Sequence, residues 1–254
     1  MSKKIDEKTL AILSQVTIEG NYVFLTCGQL DRKQYQMVNE VLENLGGKWT
    51  KKIKGHIFPE DPHDKIESVL LTGEIIPPKE FGCFFTPSGL AEYIVEMSGA
   101  KMGDIALEPS AGQGGLAIPL AKKVGIDKIN CCELLPENCK VLLENGFTVL
   151  QGDFLSVTPF STYDIVVMNP PFRVEGMPQA DIIHVLHAFS FLKPGGTLIS
   201  IMSAGVVFRM NKRTVEFRDM VEKYGEMERL EEGSFKESGT GVNTVVVKLR
   251  KPNN

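Results

Sequence analysis

A glycine-rich segment and an acidic residue after it have the types and spacing to bind a nucleoside. In the segment LEPSAGQGGLA, residues 107–117, the pattern G-x-G-x-x-G/A is matched by Gly112, Gly114 and Ala117. Glu133 follows about twenty residues later, where a carboxylate can accept both hydroxyls of a ribose. The glycines predict a tight turn into a helix N-terminus, which a ligand can approach closely. The pattern fits a nicotinamide dinucleotide as well as other adenosine-bearing ligands, and a glycine-rich packing turn is the alternative.

Two further acidic residues narrow the choice of ligand. Glu108 precedes the glycines, where it would repel a pyrophosphate and attract a cationic or ammonium-bearing group. Asp153 follows a predicted strand, where it could accept the exocyclic amine of an adenine while Phe154 covers the ring. S-adenosylmethionine has a sulfonium and an amino group, and a pyrophosphate has neither. The sequence therefore favours S-adenosylmethionine as the cofactor.

An apolar run, DIVVM, ends abruptly in Asn169-Pro170-Pro171-Phe172. Proline lacks an N–H group and has a fixed φ, so two in succession cannot continue a central strand. The run therefore predicts a strand that leaves the sheet at Asn169. The motif is either a simple turn, with Phe172 packed at the edge of the core, or a rigid functional group at the end of a strand.

Five segments, in this order along the chain, resemble the class I S-adenosylmethionine-dependent methyltransferases. They are FFTP (84–87), LEPSAGQGG (107–115), Glu133, GDF (152–154) and NPPF (169–172). More closely, they resemble the adenine-N6 nucleic-acid methyltransferases whose cofactor domain begins with an F-x-T-P segment. The resemblance covers residues 80–251. It implies an α/β fold with a Rossmann-like, doubly wound, mostly parallel seven-stranded sheet whose last strand is antiparallel.

The resemblance also implies a role for each matched residue. The side-chain oxygen of Asn169 and the carbonyl of Pro170 would hold the two N–H groups of an adenine amine, and Pro171 would stiffen the turn. Phe172 would stack on the base, and Phe235 would either flank it from the other side or cap a core. The implied cofactor-binding residues are Thr86, Pro87, Glu108, Ser110, Gly112, Gly114, Glu133, Leu134, Asp153, Phe154 and Asn169. The reaction requires no metal.

Composition and charge fit a large α/β domain with a small addition. The 254 residues are 43% hydrophobic and 24% charged, and their net charge of -4 means that a nucleic acid would have to meet a local basic patch. Five cysteines without a C-x-x-C pair, a polar N-terminus and the lack of a long apolar run predict reduced thiols, no signal peptide, no membrane span and a cytoplasmic location. His184 and His187 lie three apart on a predicted helix, but no further residue completes a metal site.

Alternating apolar and helix-like segments from Asp104 onward predict βαβ units around the parallel sheet. The predicted strands are 104–109, 128–134, 147–152, 163–168, 196–202, 227–230 and 243–249. The predicted helices are 115–124, 136–144, 181–192 and 213–224, with a turn at 193–196. The last two strands are predicted to form an antiparallel pair.

Residues 1–78 are predicted to form a separate small α+β module, before a methyltransferase domain at 79–254. The boundary lies near 76–80, in a proline-rich connector. TIEGNYVFLT predicts a strand, DRKQYQMVNEVLENLGG a helix, KWTKKIKGHIF a hairpin and DPHDKIESVLLTG a second helix. Lys51, Lys52 and Lys54 of the hairpin could contact phosphates, and Trp49 could stack on a base. The alternative is that the lysines are only solvated and that Trp49 anchors the core of the module.

The leading functional prediction is methylation of the adenine N6 amine in nucleic acid. DNA is preferred over RNA because EPSAG and F-x-T-P resemble the DNA-modifying branch. Protein glutamine N5-methylation is the alternative, since the Asn-Pro-Pro motif of those enzymes holds an amide in the same way. A non-catalytic methyltransferase-like binding subunit is a third possibility, against which the intact Glu133, Asp153 and Asn169 argue. No large recognition domain follows Leu249, so recognition is expected from the N-terminal module, from loops or from a separate specificity subunit.

Overall fold

The computed structural model describes residues 4–74, 85–159, 163–174, 176–231, 233–235 and 242–253. Its contacts divide the chain into two compact units. The first consists of Met1–Glu80 and Ala204–Arg218, and the second of Phe81–Ser203 and Asp219–Asn254. The predicted boundary at 76–80 and Phe84 of the FFTP segment lie outside the described residues. Within the described ranges, no helix is both long enough and apolar enough to cross a membrane.

Helices and strands alternate along most of the chain. In chain order they are α1 (Glu7–Leu13), β1 (Thr17–Glu19), β2 (Tyr22–Phe24), α2 (Arg32–Asn44), β3 (Lys48–Thr50), β4 (Gly55–Ile57), α3 (His63–Thr72), α4 (Ser88–Ser98), β5 (Ala106–Glu108), α5 (Ala117–Val124), β6 (Ile129–Glu133), α6 (Pro136–Glu144), β7 (Thr148–Gln151), β8 (Tyr163–Met168), α7 (Ala180–Ser190), β9 (Leu192–Ser203), α8 (Gly205–Phe208), α9 (Lys212–Tyr224), β10 (Gly225–Arg229) and β11 (Thr244–Arg250). Two 3₁₀ helices, Ile126–Lys128 and Phe154–Ser156, lie in connections.

The first unit packs helices against one face of a four-stranded antiparallel sheet of order β1-β2-β4-β3. Its core cluster joins Val23 of the sheet to apolar residues of α1, α2 and α3. Asp6 and Asp31 cap α1 and α2, because their side chains accept the backbone N–H groups of Thr9 and Gln34. The predicted hairpin and both predicted helices of this region are confirmed as β3–β4, α2 and α3.

One prediction for this unit is wrong, because TIEGNYVFLT forms a hairpin rather than a single strand. Glu19 pairs with Tyr22, so the chain reverses within Gly20 and Asn21. Gly20 has a φ of 61°, a positive value of the kind that tight two-residue hairpin turns need and that glycine adopts without strain.

A segment far along the chain, Ala204–Arg218, also belongs to the first unit. Phe208 of α8 joins the core cluster of the first unit. The guanidinium Nη2 of Arg209 lies 2.5 Å from Oε1 of Glu67 on α3, and both side chains are largely buried. The first unit is therefore completed by residues that follow most of the second unit in sequence.

The second unit confirms the predicted doubly wound sheet of seven strands. The strand order is β10-β11-β9-β8-β5-β6-β7. Strands β5 to β9 pair in parallel, and β11 pairs antiparallel with both β9 and β10. From β5 the chain moves outward to β6 and β7 and then crosses to β8 on the other side. The order reverses there, so a crevice for ligands is expected at the carboxyl ends of β5 and β8.

The turn predicted at 193–196 is wrong, because these residues lie within β9. Tyr163 pairs with Leu192 and Ile165 pairs with Thr197, so the additional residues of β9 form an irregularity in the strand. Gly195, at a φ of 78°, allows the backbone to bulge without leaving the sheet.

Candidate active site at the carboxyl edge of the parallel sheet

The connection from β5 to α5 is the glycine-rich loop, and it is fastened to the end of β6. The N–H of Ala111 donates to the carbonyl of Cys132 at 3.0 Å, and the N–H of Gly112 donates to Oε2 of Glu133 at 2.7 Å. Gly112 has a φ of 52°, and a Cβ atom placed there would meet nothing within 4 Å. The loop therefore has an open side at Gly112 where a ligand can approach the backbone.

Glu133 at the end of β6 is positioned by backbone groups on both sides. Besides the bond to Gly112, its Oε1 accepts the N–H of Leu135 at 2.8 Å. Each carboxylate oxygen has two lone pairs, so the fixed carboxylate can still accept hydroxyl groups. Leu134 next to it is 62% exposed and offers an apolar surface at the same strand end.

Glu108 at the end of β5 is buried under the glycine-rich loop. Burial raises the pKa of its carboxyl group well above the usual value, and the charge of Glu133 adds to this, while the backbone N–H groups of Ala117 and Leu116 act in the opposite direction. Its Oε2 has no hydrogen-bond partner among the described residues. A buried acceptor left unpaired is costly. The position therefore suits a ligand that brings a donor or a positive charge.

The loop after β7 presents Asp153 to solvent. Oδ1 of Asp153 accepts the N–H of Leu155 at 2.9 Å and so begins the 3₁₀ helix Phe154–Ser156. Nε2 of His187 on α7 lies 3.1 Å from the carbonyl of Phe154 and 3.0 Å from that of Val157. Both partners are acceptors, so Nε2 carries the hydrogen and donates to both. His187 thereby holds the loop that carries Asp153.

Phe154 is a core residue and does not present its ring to a ligand at Asp153. The ring is buried and packs against His187 and Phe191, with centroids 4.8 and 5.2 Å away. The expectation that Phe154 covers an adenine ring is therefore not met by this geometry. Leu134 is an exposed apolar side chain at the neighbouring strand end.

The segment before α4 and the motif after β8 meet through Thr86. Nδ2 of Asn169 donates to Oγ1 of Thr86 at 3.2 Å. A Cβ atom on Gly115 would lie 3.6 Å from the carbonyl oxygen of Thr86, so Thr86 also lies beside the glycine-rich loop. In this arrangement Nδ2 of Asn169 faces Thr86, and Oδ1 lies on the other side of the amide as an acceptor.

The remaining predicted residues of this unit differ in exposure. Pro87 immediately precedes α4 and, like Ser110 and Pro171, is half-buried, while Pro170 is buried. Phe172 and Phe235 are 3% and 1% exposed. Either ring would have to leave its buried position to stack on a base.

The predicted nucleic-acid contacts of the hairpin lie in the first unit. Trp49 on β3 is 42% exposed, with its ring edge-on to Tyr35 and His56 at centroid distances of 6.2 and 5.3 Å. Lys51, Lys52 and Lys54 are exposed in the turn between β3 and β4.

Sequence reasoning missed the role of His187 and the link between Thr86 and Asn169. The two histidines of α7 attracted attention only as an incomplete metal pair. His184 is buried, its Nδ1 has no partner among the described residues, and burial lowers its pKa to about 4. No pattern in the sequence signals that the carbonyl groups of a 3₁₀ helix need a donor from α7.

Comparison with known proteins shows the family of the chain and proteins with a similar fold. The model of a family described as the methyltransferase small domain matches residues 97–234, which is more than half of the chain. A similar fold occurs in a methyltransferase subunit of a type I restriction-modification system from Streptococcus thermophilus, with 19% identity, coverage of 76% of this chain and 49% of that one, and a TM-score of 0.58. A putative class I S-adenosylmethionine-dependent methyltransferase from Listeria monocytogenes has 16% identity, coverage of 97% and 79%, and a TM-score of 0.54.

A putative RNA methyltransferase from Pyrococcus horikoshii is also similar, with 22% identity, coverage of 69% of this chain and 91% of that one, and a TM-score of 0.51. At these identities the likeness is one of fold. The chain spans about half the length of the restriction-modification subunits that it matches.

Proposed function

Because the chain belongs to the methyltransferase small domain family and to the class I S-adenosylmethionine-dependent methyltransferases, we propose that it methylates the exocyclic N6 amine of adenine in nucleic acid. DNA is the preferred substrate and RNA the second. The type of acceptor group follows from the motif after β8, and the choice of nucleic acid follows from the resemblance of the motifs.

The observation that carries the proposal is the fixed amide of Asn169 at the carboxyl end of β8. The lone pair of an adenine amine is delocalised into the ring, which makes the amine a weak nucleophile. Oδ1 of Asn169 and the carbonyl of Pro170 accept its two N–H groups and localise the lone pair toward the methyl donor. The bond from Nδ2 to Thr86 and the two prolines keep both acceptors in place before the substrate arrives.

Most residues proposed to bind the cofactor lie at or just after the carboxyl ends of β5, β6 and β7. When bound, S-adenosylmethionine supplies an electrophilic methyl group on a positively charged sulfur. Glu133 accepts the ribose hydroxyls, Asp153 accepts the adenine amine, and Leu134 covers the adenine ring. Gly112 and Gly114 admit the ligand to the backbone.

The positively charged part of the cofactor is assigned to the neighbourhood of Glu108, whose buried Oε2 lacks a partner among the described residues. Thr86, Pro87 and Ser110 line the methionine part. No covalent bond to the protein and no metal would be needed for a direct transfer: the nitrogen lone pair would form the N–C bond as the C–S bond breaks, S-adenosylhomocysteine would leave as a neutral thioether, and the methylated amine would release one proton to solvent.

The substrate side of the site is provided by two aromatic rings and by contacts outside the second unit. Phe172 and Phe235 flank the target base after leaving their buried positions, and the base itself leaves its stack to reach Asn169. Sequence recognition comes from the first unit or from a separate specificity subunit. The similar protein from Streptococcus thermophilus is a subunit of a type I restriction-modification system, which supports the second arrangement.

The test is transfer of labelled methyl from S-adenosylmethionine to DNA, RNA and cell-extract protein, followed by identification of the modified unit. We expect N6-methyladenine in DNA. Asn169→Ala should lower the turnover rate by about 100-fold or more, because one preorganised acceptor is lost, while calorimetry shows nearly unchanged cofactor affinity.

Asn145→Ala is the matched control. Asn145 is an exposed asparagine after α6 whose amide donates to the carbonyl of Val141, and its loss should leave transfer unchanged. Label on protein glutamine, with none on nucleic acid, would overturn the proposal. Loss of cofactor binding in Asn169→Ala would show that the motif is a structural turn.

A further inference from the structure

The sheet of the first unit has a face that the proposed chemistry does not use. Cross-strand pairing places Ile18, Val23, His56 and Trp49 in one row. Val23 and His56 are fully buried, and His56 contacts Asn39 of α2 through Nε2 at 2.8 Å. This row therefore faces the helices. Because side chains alternate along a strand, the two neighbouring rows point to the opposite face, which we call the open face.

Two aromatic residues of β2 lie on the open face. Tyr22 is 40% exposed, although β2 is an inner strand of the sheet. Phe24, two residues along, lies over the next strand, because a Cβ atom on Gly55 would be only 2.8 Å from Cδ1 of its ring. The missing side chain at Gly55 thus lets the ring lie against the backbone of β4. The result is two aromatic rings, two residues apart, on the open face, with Tyr22 exposed and Phe24 half-buried.

Positive charge flanks these rings on one side. Lys48 is the partner of Ile57, which in turn pairs with Tyr22, so these three side chains form one row of the open face. Three more exposed lysines, Lys51, Lys52 and Lys54, follow in the β3–β4 turn, and none of the four has an ion-pair partner among the described residues.

Glu19, an acidic residue of the same rows, lies on β1, at the edge of the sheet opposite to Lys48 on β3. Glu19 on β1 pairs with Tyr22, so it is separated from Lys48 by the two inner strands. A negatively charged chain that crosses this face is therefore drawn toward β3 and its turn.

We propose that the open face binds single-stranded nucleic acid, with bases stacked on Tyr22 and Phe24 and phosphates beside Lys48, Lys51, Lys52 and Lys54. Aromatic side chains on a sheet can stack on any base, and lysines follow the backbone without reading its sequence. Trp49 is not part of this surface, because its row faces the helices. The inference rests on the proposed function for the choice of nucleic acid, but binding is measured without methyl transfer.

The experiment measures fluorescence anisotropy of labelled poly-dT and poly-dA of about 12 nucleotides, a length within the usual site sizes, with the full chain and no cofactor. Tyr22→Ala should weaken binding about tenfold, as expected for loss of one stacked base. The triple variant Lys51→Ala, Lys52→Ala, Lys54→Ala should reduce the slope of log affinity against log salt by about 2. A duplex of the same length should bind more weakly than the single strand.

The double variant Lys8→Ala, Lys33→Ala is the matched control, since it removes exposed lysines from α1 and α2 and should leave the salt slope unchanged. Thermal unfolding of each variant verifies that the unit is folded. Wild-type affinity in Tyr22→Ala would overturn the proposal, as would loss of binding in Trp49→Leu alone. It would also be overturned if sedimentation showed a dimer that Tyr22→Ala converts to a monomer, because the occupant would then be a second copy of the chain.

The two proposals fail in different ways. Normal oligonucleotide binding without methyl transfer would contradict the proposed function but not the proposal that the open face binds nucleic acid. Normal methyl transfer, with oligonucleotide binding unaffected by Tyr22→Ala and by the lysine variant, would contradict only the proposal that the open face binds nucleic acid.

Discussion

Thr86 is a residue that helps to position the Asn169 amide. The two lie 83 residues apart in sequence, and a hydrogen bond of 3.2 Å joins them. In the structure Nδ2 faces the hydroxyl of Thr86, which leaves Oδ1 on the other side of the amide, where it can face a substrate.

Thr86→Val keeps the shape of the side chain and removes this hydroxyl. We expect the turnover rate to fall by about 3- to 10-fold, the usual effect of one hydrogen bond. Cofactor affinity, measured by calorimetry, should fall less than the turnover rate, since the shape of the side chain that lines the methionine part is kept. Thr86→Ser retains the hydroxyl and should restore most of the rate. An equal loss in both variants would mean that the methyl group of Thr86, rather than its hydroxyl, matters.

The sequence predicts residue types at strand ends better than it predicts their burial. Glu133 was expected at the end of β6 from its spacing alone, and the structure places it there, bonded to Gly112. The pattern could not show that Phe154 turns inward, since a ring after a strand can face either side. The contact between Thr86 and Asn169 was equally hidden, because it is set by the packing of distant segments.

At the scale of elements, α7 holds the loop after β7 by way of His187. The 3₁₀ helix Phe154–Ser156 is short, and such turns have poor hydrogen-bond geometry of their own. The donor from His187 to the carbonyls of Phe154 and Val157 compensates for this weakness. The position of Asp153 therefore depends on a residue in another element.

His187→Leu should leave this loop without its donor and weaken cofactor binding by about tenfold, an effect of one buried hydrogen bond with an unpaired carbonyl left behind. His187→Gln can still donate an N–H group and should recover much of the affinity. Calorimetry with S-adenosylhomocysteine measures both. Similar affinity in the wild type and His187→Leu would show that Asp153 is held without α7.

Elements whose ends are marked by residues in the local sequence were predicted with the correct first and last residues. The bounds of α6, 136–144, and of β8, 163–168, agree with the structure, because Pro136 fits the first turn of a helix and the proline pair ends the strand. The local sequence predicted the wrong secondary structure where backbone pairing between segments determines it. Gly20 was taken into a strand although it begins a turn. The glycines at 195 and 196 were taken as a turn although backbone hydrogen bonds to Lys251 hold them within β9.

At the scale of the whole molecule, buried His184 makes stability depend on pH. Burial lowers its pKa from 6.5 to about 4, against the opposing effect of Asp153 and together with a smaller contribution from His187. The unfolded chain therefore takes up a proton at a higher pH than the folded chain does. The free energy of unfolding should fall as the pH decreases from 6.5 to about 4, by up to about 3 kcal/mol.

Denaturant unfolding at several pH values between 7 and 4 measures this loss. His184→Leu should remove a corresponding part of the pH dependence. Asn145→Ala, which changes an exposed residue that does not titrate, should leave the dependence as it is in the wild type. An unchanged slope in His184→Leu would assign the acid sensitivity to other groups.

The sequence predicts the seven-stranded sheet because alternating βαβ patterns are repeated along the chain. It does not reveal that Ala204–Arg218 packs with the first unit. The sequence around Phe208 and Arg209 does not indicate their partners. Phe208 packs with the core cluster of the first unit, and Arg209 pairs with Glu67.

Because Ala204–Arg218 packs with the first unit, that unit cannot complete its core early in synthesis on the ribosome. Translation proceeds from the N-terminus at about 5–20 residues per second, so roughly ten seconds pass between the emergence of residue 80 and that of Phe208. During this interval the nascent first unit has not yet met the ring that completes its core or the guanidinium that pairs with Glu67. The N-terminal unit therefore reaches its final packing only after the strands β5 to β9 have been translated, and chaperones have that interval in which to engage it.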